Sequence, residues 1–141
     1  MKSFFIIFSK VLFFISFSLF FISKDKMLWK CKSVYGRALI VLHHLITPSI
    51  LFLGILFQLY YLNLFLVILT VLSWLLLNHC LISIMSNNLC GFDEKTQHLN
   101  IGTLLRNYIG KKLNINIHWK WEFVILFIIL GYNVFMIQKS G

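Results

Sequence analysis

Apolar side chains fill four runs of the chain: Phe4 to about Ile22, Ala38 to Phe57, Leu59 to Leu81, and Phe123 to Ile137. Polar and charged residues cluster between them. A bilayer's hydrocarbon core takes about 20 helical residues, and backbone groups in lipid must be satisfied internally. The first three runs are long enough. The fourth is short, but Trp119 and Trp121 precede it as interfacial anchors, so it counts as a span. The pattern predicts an all-α integral membrane fold of about four transmembrane helices, forming a single membrane domain over residues 1–141.

The turn between the second and third runs, Gln58 to Asn63, carries no charge. These two helices are therefore expected to form a tight central hairpin. Of 13 Lys and Arg, five lie from Lys24 to Arg37 and five from Lys95 to Lys120, while Lys2, Lys10 and Lys139 are near the termini. Only an even number of spans puts both basic loops, 24–37 and 87–122, on one side. The positive-inside rule makes that side cytoplasmic or matrix-like, with both termini opposite.

Composition agrees. Hydrophobic residues make up 60% and charged residues 12%, whereas soluble domains are roughly half apolar and a quarter charged. One Ala (Ala38) stands against 15 Phe, a skew that fits an AT-rich genome and explains much Phe at lipid-facing positions. The net charge of +9 is then topogenic. No nucleic-acid fold or motif accompanies it.

The first run has a basic start but no small-residue cleavage site, and Lys24, Lys26, Lys30 and Lys32 close it, as in a retained signal anchor. Lys10 is expected to snorkel toward the N-terminal interface. Ser9, Ser16 and Ser23 recur every seven residues and place small polar groups on one stripe, either a helix-packing seam or incidental serines in a Phe-rich helix. In the long loop, Asn100 is a candidate cap for a short helix with Ile101, Leu104, Leu105, Tyr108 and Leu113 on one face and Arg106, Lys111 and Lys112 beside it. Such a helix suits the surface of an anionic leaflet.

Candidate chemistry gathers at the basic end of the hairpin. His43 and His44 start the second helix, and His79 and Cys80 end the third. Thr47 and Gly54 share a stripe with His43, and Thr70 and Ser73 share one with Cys80. Trp74 and Asn78 lie on a neighbouring face, and Pro48 should kink the second helix. Haem ligation by His43, His44 or His79 is one reading. A metal held by His79 and Cys80 with His43 or Cys90 has no recognised spacing. A proton relay lacks an intramembrane carboxylate, because Asp25, Asp93, Glu94 and Glu122 all read as loop residues. The plainer reading is that His43, His44, Asn78 and His79 hydrogen-bond across the hairpin or meet lipid headgroups near the interface. The odd count of Cys31, Cys80 and Cys90 predicts free thiols.

The run Trp74-Leu-Leu-Leu-Asn78-His-Cys80-Leu-Ile-Ser83 resembles a Trp-x3-Asn-x-Cys-x2-Ser signature of small helical membrane proteins of bacteria and large DNA viruses. It departs from the bacterial pattern at Leu81, where those proteins often carry proline. The resemblance implies a membrane protein and no particular activity. The expected function is an accessory or structural subunit that packs against other membrane proteins, more an assembler than an enzyme. The runner-up is a haem-binding or electron-transfer anchor, and the third a small channel or carrier. No cofactor other than that haem is expected.

Overall fold

The computed structural model describes residues 1–93, 96, 98, 101–116 and 121–141. Among these, seven helices and no strand are found: α1 (Lys2–Lys24), α2 (Lys26–Lys30), α3 (Val34–Phe57), α4 (Tyr60–Leu77), α5 (Leu81–Cys90), α6 (Ile101–Leu113) and α7 (Glu122–Ser140). Four of them (α1, α3, α4 and α7) are long and apolar enough to cross a membrane. The fourth apolar run is 19 residues as a helix, because Glu122 precedes it and Gln138, Lys139 and Ser140 continue it beyond its apolar segment.

Each break has a local cause. Asp25 ends α1 in extended backbone and caps α2, its Oδ1 accepting from Met27 N at 2.9 Å. Ser33 caps α3, its Oγ accepting from Gly36 N at 3.1 Å. Gln58 closes α3 in the left-handed region, with φ 58°. Only Gln58 and Leu59 then separate α3 from α4, giving the tight hairpin that the uncharged turn predicts. Lys10 is half-buried and donates from Nζ to the Leu56 carbonyl. A cation here meets the negative end of the α3 dipole. It reaches a backbone carbonyl of the hairpin, where snorkelling to the N-terminal interface was expected.

The third apolar run is interrupted, not continuous to Leu81. Asn78 takes φ 57°, a conformation Asn tolerates better than most residues. Ser73 holds the break from both sides: its Oγ donates to His79 O at 3.2 Å and accepts from Leu81 N at 2.8 Å. α5 then carries on along α3, so α3 packs on α4 near the hairpin and on α5 toward the basic end.

The expectation of free thiols is corrected. Cys31 and Cys90 form a disulfide joining the ends of α2 and α5, with Cα atoms 4.9 Å apart, and Cys80 alone is free. An odd count excludes a complete pairing, not a single bridge. Gly36 lets α3 pass the bridge: a Cβ there would lie 2.8 Å from the Cys31 sulfur and closer still to that of Cys90.

Two small cores result. Ile50, Val67, Val71, Leu126 and Ile129 are buried between α3, α4 and α7. Leu28, Cys31 and Ile40 pack at the basic end. Some of the Phe enrichment is structural: Phe13 and Phe17 of α1 meet Phe52 of α3 edge-on at 5.2 and 5.1 Å between centroids.

Near the hairpin, buried Asn63 donates from Nδ2 to Ser49 O and Ile50 O at 2.9 and 2.7 Å. Asn133 of α7 donates to Asn63 Oδ1 and to Ile129 O. Gly54 makes room for this pair, since a Cβ there would lie 3.1 Å from Asn63 Oδ1 and closer to Asn133 Oδ1. Gly54→Ala is expected to displace the Asn133 amide and cost about 1–3 kcal/mol, the typical penalty for unpairing buried polar groups. Denaturant unfolding in mixed micelles measures it, and an unchanged midpoint would contradict the role of the pair.

Candidate functional site

The polar residues at the basic end fall into two groups, one packed solid and one facing a cavity. The solid group centres on Asp25. The α1–α2 corner turns its carboxylate inward, where it is 2% exposed. Oδ2 accepts from His44 Nε2 at 2.7 Å and lies 3.3 Å from His98 Nδ1, within ion-pair reach but not aligned as a hydrogen bond. Asn87 Nδ2 donates to Thr96 O, which turns Oδ1 toward His98 Nε2 at 3.0 Å. With Nε2–H given to Asn87, attraction between His98 and Asp25 requires a second proton on that ring. Burial alone would push the Asp25 carboxyl up. Its contacts to His44 and His98 and the Met27 N–H outweigh that and hold it well below the usual carboxylate range.

Ser86, His98 and Asp25 have the connectivity of a nucleophilic triad, with Ser86 Oγ 3.3 Å from His98 Nε2. The chemistry does not follow. Ser86 Oγ donates to Ser83 O at 3.0 Å, and the residue has no exposed surface. A nucleophile must reach a substrate.

The second group lines a cavity of about 310 Å³ between α3, α4, the start of α5 and the start of α7. His43, Thr47, Thr70, Ser73, Trp74 and Cys80 from the sequence-level candidates all reach it, joined by Glu122. Cys80 arrives as the residue capping α5, not as part of the α4 stripe. A smaller hollow of about 50 Å³ adjoins, shared by His43, Trp74, Cys80 and Glu122 and extended by Asn78, His79 and His98. Thr47 Oγ donates to His43 O and Thr70 Oγ to Leu66 O. Those hydroxyl protons are committed. His43 Nδ1 is buried with no hydrogen-bond partner among the described residues.

Two chemical readings change with this geometry. Carboxylates do reach the histidines: Asp25 binds His44, and Glu122 shares the cavity with His43. Both looked like loop residues because the helix boundaries that fold them inward are not visible as apolar periodicity. The histidines proposed for haem are separated in use. His44 hydrogen-bonds Asp25, while His43 and His79 both line the hollow of about 50 Å³. Cys90 is lost to any metal set by its disulfide.

The other candidates are structural or peripheral. Pro48 is buried within α3, and Gly54 belongs to the asparagine pair. On α6, Leu104, Leu105, Tyr108, Lys111 and Lys112 are exposed and Arg106 is half-buried. Trp121 is half-buried with its Nε1 turned into the fold. Trp119 and the cap position Asn100 lie outside the described residues. His98, Asn63 and Asn133 were not recognisable from sequence, each being a lone polar residue without a partner at helical spacing. No family model, curated protein or solved structure matches the chain.

Proposed function

We propose that this chain is a multi-pass membrane accessory subunit, without catalysis of its own, whose α1 helix packs against another membrane protein. The observation that supports it is the direction of the serine stripe. Ser18 and Phe21 turn toward α3, while Ser9, Ser16 and Ser23 are exposed on the far side. Only 11% of the most apolar part of α1 is buried. Ser9 and Ser23 satisfy their hydroxyls on backbone carbonyls three residues back, which leaves a narrow, small-residue track. Such tracks let a second helix approach closely in lipid.

In this reading the basic loops face the cytoplasm or matrix and the termini lie opposite, following the charge bias. Of the disulfide at that end, Cys31 is buried and Cys90 is half-buried. α6 rests on the anionic leaflet, its exposed leucines and tyrosine toward lipid and its lysines on the headgroups.

The test is co-purification from the native membrane in mild detergent. Partners in fixed stoichiometry are expected with the parent chain, and their recovery should fall with Ser16→Phe. A monodisperse chain recovered alone would overturn the proposal.

A further inference from the structure

We propose that the cavity between α3, α4, α5 and α7 binds a small neutral amphiphile, its hydroxyl or carbonyl head hydrogen-bonded to His43. The volume of about 310 Å³ sits at the lower end of the roughly 300–1,000 Å³ typical of small-molecule sites. Polarity is graded along it. His43, Cys80 and Glu122 lie toward the basic end of the helices, whereas Ile50, Leu51 and Leu66 lie toward the middle of the spans. A ligand that fits this gradient carries one polar head and one apolar body.

His43 is buried, with 8% residual exposure, and its Nδ1 has no partner among the described residues. Buried polar atoms in folded proteins are nearly always paired, and the His43 imidazole, which lines the cavity, is a ring whose hydrogen-bonding capacity the described residues leave unfilled. The neighbouring hydroxyls of Thr47, Thr70 and Ser73 already donate to backbone carbonyls. The head group is therefore read by His43 above all.

Charge selects the class. At the cavity's carboxylate, Glu122, the cost of burial outweighs the opposite charge of Arg106 on α6, so the site disfavours charge. An ionised head would enter a low-dielectric space without a counter-ion of its own. The entrance selects the source. Leu69 and Leu81 line the cavity and are also 47% and 49% exposed on the lipid-facing surface, so the ligand enters from the membrane.

The experiment uses the full chain in nanodiscs with a decanol carrying a mid-chain diazirine, read by mass spectrometry after photolysis. Saturable labelling of α4 and α7 near Leu66 and Leu126 is expected, displaced by unlabelled decanol but not by decanoate. His43→Leu should weaken labelling about fivefold to tenfold, the worth of one buried hydrogen bond. Leu66→Trp, which fills the apolar end and spares His43, should abolish it and keeps the test decisive if the His43 variant misfolds. Labelling that fails to saturate, that survives Leu66→Trp, that is unchanged in a folded His43→Leu, or that decanoate displaces equally well overturns the proposal.

Discussion

Asp25→Ala is expected to destabilise the fold by about 1–3 kcal/mol, the range for leaving a buried polar group unsatisfied. The loss has three parts. His44 Nε2–H is left in the interior without an acceptor, the ion-pair contact at His98 Nδ1 disappears, and α2 loses its cap at Met27 N. Asp25→Asn keeps the shape and the cap and should cost less. Unfolding by sodium dodecyl sulfate titration in mixed micelles measures both, and an Ala variant within about 1 kcal/mol of the parent would falsify the assignment.

The same carboxylate sets a pH dependence with a definite sign. Its folded-state pKa lies below the ordinary 3.8, so the folded state holds the ionised form more tightly than the unfolded chain does. The stabilisation is therefore complete above the usual carboxylate range and is lost as pH falls below it toward the folded value. Acid unfolding should shift to higher pH in Asp25→Asn, where this contribution is already absent.

Replacing Cys31 and Cys90 together by Ser is the second large effect. The bridge closes 59 residues of sequence separation, which in the chain-entropy account is worth up to about 4 kcal/mol. The spans remain inserted after unfolding in a bilayer, so the measured loss should approach that figure only in detergent. Maleimide should label one thiol per chain, Cys80, before reduction and denaturation and three afterwards. Three labels without reductant would remove the bridge from this account.

How much of this was legible follows from which interactions are local. The four long apolar helices and the two-residue hairpin are written in run length and in the uncharged turn at Gln58, because the cost of exposing backbone to lipid leaves little choice. The cavity residues were also readable in part. His43 and Thr47 share an α3 face, Thr70 and Ser73 are close on α4, and the antiparallel hairpin brings the two pairs to one depth. The rest depends on distant partners. Asp25 belongs with His44 and His98, 19 and 73 residues on, and nothing at helical spacing announces either meeting. The break at Asn78 was hidden for a different reason: Ser73 and Asn78 favour turns, but they sit inside a long apolar run, and the signal is decisive only once Ser73 satisfies both sides of the gap. The disulfide was missed because counting thiols says nothing about their distance.

That break has a consequence for how α4 would cross a membrane. Ending α4 at Leu77 leaves 18 helical residues, about 27 Å at 1.5 Å per residue. A typical hydrocarbon core is about 30 Å, and thicker sterol-rich membranes reach about 32–33 Å. α1 and α3, with 23 and 24 residues, meet any of these by tilting, but α4 has no length to spare. Of the four long helices α4 is the shortest, so in a bilayer of that thickness its crossing would be completed past the break by α5, which continues along α3 toward the basic end.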